Sequence, residues 1–387
     1  MIVTQLSLTD FRNYTTLALE LHAGPNLFVG SNGQGKTNLV EALGYLSTLG
    51  SHRVSVDHAM IRQGQESAIV RARLNHGGRE VLAEVQLNRT GANRAQVNRS
   101  AIKTRELPRY FSSVLFAPED LALVRGEPSG RRRFLDELLV LRAPRMSAVI
   151  ADYERVLRQR NTLLRSARAS GLKEAQLGTL EIWDERLVAL GSEIIAARTA
   201  LVAELAPEVS RAYTAIVSAD HGATLASQLS IFATTTDDDS ADDAAMRITP
   251  VNADTAADAF RTSLASLRRT ELDRGITLVG PHRDDLVLGL NGLAARGYAS
   301  HGESWSLALS LKLASAAVLR RESMSGDPVL ILDDVFAELD ESRRGRLADA
   351  VGDFEQVLIT AAVFDDVPTS LAAHVVRIRA GSAVADE

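Results

Sequence analysis

Residues 30–37 constrain the fold of this chain more than any other stretch. They read Gly-Ser-Asn-Gly-Gln-Gly-Lys-Thr, which fits the phosphate-binding pattern G-x-x-x-x-G-K-[ST]. An apolar run at 26–29 predicts a buried strand before this loop, and apolar residues at helical spacing predict a helix over 37–49. A strand, a glycine-rich turn and a helix N-terminus in this order favour an α/β core that binds a nucleoside triphosphate.

Each residue of the loop has an expected role. The glycines let backbone N–H groups point at phosphate oxygens without a clash from Cβ. Lys36 is expected to reach the β- and γ-phosphates, and the Thr37 hydroxyl to ligate Mg²⁺. The expected ligands of the nucleotide are Gly30, Ser31, Asn32, Gly33, Gln34, Gly35, Lys36 and Thr37. A chance match in an ordinary glycine turn is the alternative, which the flanking strand and helix disfavour.

Composition narrows the class of protein. At 387 residues the chain is long enough for two or three domains. It has no cysteine, which excludes disulfides, thiol catalysis and Cys-ligated metal. No signal peptide or membrane-spanning stretch is recognisable, so we expect a cytoplasmic protein with no membrane partner. Because the net charge is -6, any contact with DNA must come from local basic patches.

The pattern of apolar residues changes along the chain. Alternating stretches at 2–8, 15–21, 67–74, 80–87 and 94–98 predict an antiparallel β segment. From residue 144 two helical stripes separated at 170–171 predict an antiparallel hairpin, either a short protruding arm or two core helices of a bundle. We therefore predict two lobes of one head at 1–140 and 272–387, and a helical arm domain at 141–271. Residues 233–259 are small and acidic, and predict a solvated loop.

A second apolar run, at 329–332, ends in two acids. A buried parallel strand delivers the residues at its carboxyl end to the sheet edge where phosphate loops lie. Asp333 is therefore expected to hold Mg²⁺, and Asp334 to polarise the attacking water. The alternative is a surface pair of acids after a core strand.

Three further stretches resemble elements of ABC-type ATPases. Residues 299–304, at the start of a helical run, resemble the signature loop, in which Ser300, Gly302 and Glu303 would form a second phosphate-binding nest. Residues 337–340 resemble the D-loop, which ends in Asp340. Thr360 follows another predicted strand and stands where this superfamily often has a switch histidine. A threonine cannot act as a base, so Thr360 is expected only to orient the γ-phosphate or the water.

The order of these elements implies a dimer. In ABC-type ATPases the signature loop caps the nucleotide of a partner chain, and this chain has one copy of each element. By that resemblance, a head-to-tail homodimer would bury two ATP molecules, each between Lys36 of one chain and Ser300 of the other. Binding of ATP would then close the dimer, and hydrolysis would release it.

Several stretches together resemble the RecF family of DNA replication and repair proteins. They run in the family's order from the first predicted strand to the last quarter of the chain, at 8–14, 30–39, 51–53, 116–121, 130–136, 280–285 and 332–340. The fold class that the resemblance implies is α/β, an SMC-like, ABC-type ATPase head. Its mixed sheet carries the phosphate loop beside an antiparallel β segment, with an inserted α-helical arm domain.

The resemblance also implies a function. Members of the family bind ATP, Mg²⁺ and DNA, at single-strand gaps and their duplex junctions. They act with the RecO and RecR proteins to load recombinase, and they support the SOS response to DNA damage and replication restart. The implied enzymatic activity is a weak, DNA-stimulated hydrolysis of ATP.

Two positions near the nucleotide carry further expectations. Asp334 stands where most ABC-type ATPases have Glu, and its side chain is one methylene shorter. We therefore expect slow turnover, below the median enzyme rate of about ten per second. Arg12 is expected to reach the phosphates, as the equivalent basic residue does in SMC-like heads. The alternative for Arg12 is a surface residue at a strand end.

Basic residues cluster around the predicted β-hairpin. They are Arg89, Arg94, Arg99, Lys103, Arg105 and Arg109. Contacts from such residues would go to phosphates and give salt-sensitive, sequence-independent DNA binding. The alternative is a solvated charged face. A second group, at 131–133, is expected either to contact DNA or to brace the arm.

Three other functions remain open from the residues alone. The chain could be the ATPase subunit of a membrane transporter or of another ABC-type system, which would need a coupling surface. It could be a small-molecule kinase, which needs neither a signature loop nor a dimer. It could also be a structural clamp that uses bound ATP and hydrolyses it only incidentally.

Overall fold

The computed structural model describes residues 1–170, 178–233, 246–323 and 326–384. The chain forms two compact units. The first, here the head unit, comprises Met1–Ala122, Arg211–Asp220 and His301–Glu387, and the second, the arm unit, comprises Leu123–Ser210 and His221–Ser300. These bounds differ from the expected ones, since residues 123–140 and 272–300 cluster with the arm unit and residues 211–220 with the head unit.

The described strands and helices follow in chain order. The strands are β1 (Ile2–Phe11), β2 (Tyr14–Glu20), β3 (Gly24–Val29), β4 (Ser67–His76), β5 (Arg79–Asn88), β6 (Arg94–Val97), β7 (Ser100–Ile102), β8 (Ser113–Phe116), β9 (Thr224–Gln228), β10 (Met246–Arg247), β11 (Asp285–Leu290), β12 (Leu293–Ala294), β13 (Val329–Asp333), β14 (Gln356–Ala361), β15 (His374–Arg379) and β16 (Ser382–Val384). The helices are α1 (Lys36–Thr48), α2 (Leu121–Arg125), α3 (Pro128–Arg142), α4 (Met146–Ser170), α5 (Gly178–Val217), α6 (Ala253–Arg274), α7 (Ala295–Tyr298), α8 (His301–Glu322) and α9 (Glu341–Val351).

The head unit contains two six-stranded sheets. The first is antiparallel, with strand order β2-β1-β4-β5-β6-β7, and it contains all the predicted alternating stretches. In the second sheet, of order β16-β15-β3-β14-β13-β8, neighbouring strands from β15 to β8 run parallel. Every residue of β13 and β14 is buried, which explains why these strands are almost continuously apolar.

Helix α1 packs between the two sheets of the head unit. It contacts β4 and β5 of the antiparallel sheet, and β8, β13 and β14 of the parallel sheet. Leu39, Val40, Leu43 and Leu46, the residues that predicted this helix, are all buried. The helix that begins at the phosphate loop is therefore fixed on both sides by apolar burial.

The arm unit is built around two long helices. Ion pairs join Arg160 of α4 to Asp184 of α5, and Arg145, just before α4, to Glu193 of α5. Because rising numbers on one helix meet falling numbers on the other, the two helices are antiparallel, as predicted. The apolar stripe of α5 is buried at Leu180, Leu187, Ile194 and Leu201. The predicted break at residue 171 lies outside the described residues.

Two features of the arm unit differ from the sequence predictions. The expected helical domain also contains a four-stranded antiparallel sheet of order β10-β9-β11-β12. The expected acidic loop at 233–259 is wrong over 246–247, which form β10, and over 253–259, which form the start of α6. There Asn252 caps the helix by accepting a hydrogen bond from the Thr255 N–H at 2.8 Å, and Ala256 is buried. Residues 234–245 lie outside the described part of the chain. No helix in the described ranges is both long and apolar enough to span a membrane.

Candidate nucleotide site

The candidate site lies at the carboxyl edge of the parallel sheet in the head unit. The phosphate loop follows β3, and Asp333 is the last residue of β13. Strand β14 lies between them, and its Thr360 pairs in register with Phe28 on one side and Asp333 on the other. The parallel register therefore brings Thr37 and Asp333, which are 296 positions apart in sequence, to one edge.

Two glycines of the phosphate loop are required by close approaches. A Cβ at Gly30 would lie 2.3 Å from the backbone oxygen of Ile378 in β15. Gly35 has φ 116°, and a Cβ there would lie 2.7 Å from the Asn13 amide and 2.9 Å from the Tyr14 hydroxyl. No L side chain fits either position without movement of its neighbours.

The loop is held by two turns that the sequence analysis did not single out as loop contacts. From the β1–β2 turn, the Asn13 amide donates to the Gln34 backbone oxygen at 3.0 Å, and the Tyr14 hydroxyl donates to the Gly35 oxygen at 3.1 Å. From the β15–β16 turn, the Ala380 N–H donates to the Gln34 side chain at 2.7 Å. The apex of the loop, at 31–33, stays exposed. Of the residues that contact the loop, Asn13 and Tyr14 lie in the stretch 8–14, which contributed to the family resemblance. Ala380 lies outside all of these stretches.

Lys36 points back along the loop. Its Nζ donates to the backbone oxygens of Gly30 at 2.6 Å and Ser31 at 3.3 Å. Burial lowers the pKa of the Lys36 ammonium, although Asp334 and Asp333 act in the opposite direction. The hydrogen bonds of the buried Lys36 ammonium thus go to backbone oxygens, which carry only partial negative charge, and not to a carboxylate.

Asp333 gathers the two hydroxyls of the site. Its Oδ1 accepts hydrogen bonds from Thr37 Oγ1 at 3.1 Å and from Thr360 Oγ1 at 2.6 Å. Within the described ranges no group of three or more His, Cys, Asp or Glu could hold a metal. A hydroxyl and one carboxylate nevertheless fit Mg²⁺, which takes oxygen ligands and commonly binds through one or two protein groups plus phosphates and water.

Asp334 adopts an unusual backbone conformation. It has φ 55°, in the left-handed region that non-glycine residues rarely visit and that is enriched at functional sites. Its backbone N–H donates to Thr360 Oγ1 at 2.9 Å. Burial raises the pKa of the Asp334 carboxyl, against the effect of Lys36. A raised pKa suits a group that must accept a proton.

Thr360 lies between the two acids of the site. It is completely buried on β14, and its single hydroxyl already bonds with Asp333 and with the backbone of Asp334. These two bonds hold Asp333 and Asp334 in place, and the expectation that Thr360 orients the γ-phosphate or the water stays a prediction.

Arg12 is paired inside the protein. Its guanidinium binds the buried carboxylate of Glu41 on α1 through two hydrogen bonds, of 2.8 and 2.6 Å, and donates to the Ala59 backbone oxygen at 2.9 Å. The expectation that Arg12 reaches the phosphates would require it to leave this bidentate pair. Glu41 also accepts from the Ser51 hydroxyl.

The signature and D-loop residues meet at one arginine. Ser300 is exposed and immediately precedes α8, while Gly302 and Glu303 lie in its first turn. A Cβ at Gly302 would lie 3.1 Å from Nη1 of Arg343. Asp340 caps α9 by accepting from the Arg343 N–H at 2.9 Å, and its carboxylate lies 3.6 Å from the Arg343 guanidinium. Within the head unit, Gly302 and Asp340 are thus adjacent to the same side chain.

Comparison with known proteins places these elements in a family. The family model described as "RecF/RecN/SMC N terminal domain" matches residues 2–380. A protein of Clavibacter michiganensis subsp. michiganensis named "DNA replication and repair protein RecF" is 66% identical over 387 residues, covering 99% of this chain and 96% of the relative. A protein of the same name from Leifsonia xyli subsp. xyli is 66% identical over 384 residues, covering 99% of each. The chain belongs to the RecF family.

Solved structures agree with this membership. A structure described as "the recombination mediator protein RecF-ATP in RecFOR pathway" is 28% identical, with a TM-score of 0.86, and the match covers 100% of this chain and 97% of that one. An Smc head domain from Pyrococcus furiosus is 15% identical with a TM-score of 0.53, and this likeness concerns the fold alone. The RecF chain therefore has the predicted SMC-like ATPase head fold.

The basic residues of this RecF chain fall into two classes. Arg89, Arg94, Arg99, Lys103, Arg105 and Arg109 are all exposed, along β6, β7 and the adjoining turns. None of them forms an ion pair with another residue of the described ranges. Arg131, in contrast, is buried, binds Asp285 at 2.7 Å and donates to the Leu123 and Gly126 oxygens. Arg131 therefore braces the arm unit, and so does Arg132, which donates to the Asp284 backbone oxygen at 2.9 Å. Arg133 is exposed and pairs with Glu137 one turn along α3. The first group, in contrast, forms an open cationic surface.

Proposed function

We propose that this chain is an ATP-dependent DNA-binding protein of recombinational repair and replication restart, with slow hydrolysis of ATP. The single observation that carries the proposal is the 3.1 Å contact between Thr37 Oγ1 and Asp333 Oδ1, because it unites the phosphate loop and the acidic strand end in one site. Relatives that are 66% identical and named for DNA replication and repair support the cellular role. Such a role places the protein at the chromosome, in the cytoplasm.

The residues of the head unit would divide the chemistry of ATP hydrolysis. Thr37 and Asp333 would hold Mg²⁺, which when bound neutralises charge on the phosphates. Lys36 would exchange its contacts with the Gly30 and Ser31 oxygens for phosphate oxygens. Asp334 would accept the proton of the attacking water, and its short side chain supports slow turnover. Thr360 would keep both acids in place.

We also infer an ATP-dependent homodimer. Ser300, Gly302, Glu303 and Asp340 of one protomer would cover the nucleotide held by the phosphate loop of its partner. The adjacency of Gly302 and Asp340 at Arg343 supports their acting as one surface. Asp340 already caps α9 within its own chain, so its position alone is no argument for a dimer. The dimer is therefore tested directly below.

DNA and two proteins are the proposed partners. The described relative is a recombination mediator of a RecFOR pathway, and by analogy the chain would act with RecO and RecR at single-strand gaps and duplex junctions, load recombinase and support the SOS response. The open cationic surface at Arg89, Arg94, Arg99, Lys103 and Arg105 would contact DNA phosphates. Reversal of Arg94, Arg99 and Lys103 to Glu should weaken DNA binding and flatten its dependence on salt concentration.

The deciding experiment is the mass of the protein in solution, measured by light scattering. We expect Mg-ATP to double the mass of the wild type, gapped DNA to increase the dimer fraction, and Lys36→Ala to abolish the response. A mass that is independent of nucleotide and DNA would contradict the composite site. Binding of ATP without doubling would leave the nucleotide site in place and remove the dimer.

A further inference from the structure

A rigid loop beside the nucleotide site carries a histidine that the proposed mechanism has not used. We call residues 50–54, which follow α1, the Ser51 loop. The Ser51 hydroxyl bonds with the buried carboxylate of Glu41, and Ser51 Oγ accepts from the N–H groups of Arg53 at 3.0 Å and Val54 at 3.1 Å. Glu41 is itself held by Arg12. A buried, fully bonded carboxylate thus fixes this loop to the helix that begins at the phosphate loop.

His52 projects from this loop toward Asp333. Its Nε2 lies 3.7 Å from Asp333 Oδ2, and its side chain is only 14% exposed. The Nε2 atom is inaccessible to solvent, and it makes no hydrogen bond with any residue in the described part of the chain. A separation of 3.7 Å is too long for a direct hydrogen bond, so Nε2 is a buried polar atom near Asp333 whose hydrogen-bonding capacity no described residue uses.

The two oxygens of Asp333 have different surroundings. Oδ1 accepts from both Thr37 and Thr360, whereas Oδ2 is the oxygen that faces His52. Mg²⁺ is bound reluctantly by protein groups alone and usually retains several waters. The residues that hydrogen-bond with metal ligands or metal-bound waters fix their orientation and tune the affinity for the ion.

We propose that His52 is a positioning residue for the hydrated Mg²⁺ of the nucleotide complex. Its Nε2 would accept a hydrogen bond from a water molecule bound to the ion near Oδ2 of Asp333. This inference rests on the proposed function, because it concerns the same site. In this proposal the hydrogen bonds from Arg12 to Glu41 and from Ser51 to Glu41 hold the His52 ring in place.

The alternative is that His52 only packs against its neighbours in the head unit and does not contact the hydrated ion. In that case replacing it would change the stability of the fold but leave the Mg²⁺ dependence of nucleotide binding unchanged. A hydrogen bond from His52 to the γ-phosphate is a different alternative, and it would affect a triphosphate but not ADP. The two alternatives and the proposal therefore predict different results in one set of titrations.

The experiment is calorimetric titration of ADP and of ATPγS into the full chain at increasing Mg²⁺ concentrations. The variants are His52→Ala, His52→Gln and Lys36→Ala, with His58→Ala as the control because His58 is an exposed histidine nearby. For His52→Ala we expect the Mg²⁺ concentration at half-maximal binding to rise about 10-fold or more with both nucleotides. Binding without Mg²⁺ should be unchanged. The glutamine side chain can place a polar atom near Nε2 and should recover part of the loss.

Each outcome has one meaning. An unchanged Mg²⁺ midpoint for folded His52→Ala overturns the inference, and so does an effect confined to ATPγS. If the alanine variant does not fold, His52→Gln tests the inference instead. The inference then requires a partial rise of the Mg²⁺ midpoint that is equal for ADP and ATPγS, and an unchanged midpoint overturns it. If the wild type binds neither nucleotide, or if Lys36→Ala binds as well as the wild type, the proposed function itself fails.

Discussion

Two buried cations, one in each unit of the molecule, have opposite surroundings. In the arm unit Arg160 is completely buried, and its donors meet Asp184 at 2.7 Å, Glu271 at 2.6 Å and Thr277 at 2.8 Å. In the head unit Lys36 is buried with only backbone oxygens as hydrogen-bond partners. The first cation is neutralised by carboxylates of its own unit, whereas the second is not in contact with any.

The pKa values follow this difference. Burial alone would lower the pKa of Arg160, but Glu271 and Asp184 raise it above its ordinary value. For Lys36 burial prevails over the two aspartates, and the pKa falls. A buried charge that its own neighbours balance is costly to deprive of its partner, while one that they do not balance favours an anionic ligand. Four predictions, which use five substitutions besides their controls, test this contrast.

Removal of the proposed base should have the largest effect. Asp334→Asn keeps the size of the side chain but cannot accept a proton, so we expect hydrolysis of ATP to fall by about 10²- to 10⁴-fold while ATP still binds. Phosphate release and nucleotide binding would be measured on the same sample. Undiminished hydrolysis would remove Asp334 from the mechanism and favour a clamp in which turnover is incidental.

Breaking the balanced network should cost stability rather than binding. Arg160→Met leaves Glu271 buried without its partner, and we expect a loss of about 3–5 kcal/mol in the free energy of unfolding. Urea denaturation measures it, and Arg155→Met on the same helix is the control, since Arg155 is exposed and its pair with Asp152 should contribute less than about 1 kcal/mol. Equal losses in the two variants would show that the contrast between the units is not one of burial.

The positioning role of Thr360 predicts a smaller effect. Thr360→Val keeps the shape of the side chain but removes the hydrogen bonds with Asp333 and Asp334, and leaves buried polar groups unpaired. We expect a loss of about 1–3 kcal/mol in the free energy of unfolding. We also expect Mg²⁺ to strengthen ATP binding less than it does in the wild type. Thr16→Val on exposed β2 is the matched control. A variant that loses stability but binds Mg-ATP normally would make Thr360 purely structural.

The smallest expected effect concerns pH and the arm unit. Burial raises the pKa of Asp284 to about 6 and lowers that of His282 to about 4. The stability that Asp284 contributes is present at low pH and is lost as pH rises toward 6, whereas that of His282 is present above its ordinary pKa and is lost as pH falls toward 4. The two contributions oppose each other between these values.

Single substitutions should therefore expose opposite slopes. We expect Asp284→Asn to lose stability more steeply than the wild type as pH falls from about 6.5 to about 4, and His282→Gln to gain it, each by at most about 1.4 kcal/mol per pH unit. Urea midpoints across this pH range measure both. Parallel curves for the two variants and the wild type would show that neither group titrates as its burial implies.

Local patterns predicted much of the head unit. The alternating stretches became antiparallel strands, and the apolar runs at 26–29 and 329–332 became buried parallel strands. The acids and the phosphate loop could be assigned because their spacing follows from strand and helix geometry. The hairpin of α4 and α5 followed from its stripe of apolar residues.

Contacts between distant residues explain what the sequence did not predict. The pairing of Arg12 with Glu41 and the approach of His52 to Asp333 depend on how the sheets enclose α1, which no local periodicity encodes. The arm sheet was missed because its strands are at most six residues long and two of them have only two. Composition misled at 253–259, where small acidic residues suit the first turn of a capped helix as well as a loop.

The order of strands in the parallel sheet has a consequence for biosynthesis. The phosphate loop emerges early from the ribosome, but among the described strands β3 pairs only with β14 and β15, and the loop itself contacts the turn after β15. Its glycine-rich conformation is therefore completed only when residues 356–381 have been made. The proposed nucleotide site would therefore be complete only when almost the whole polypeptide has been synthesised, so binding of ATP would distinguish a finished head from a partly made one.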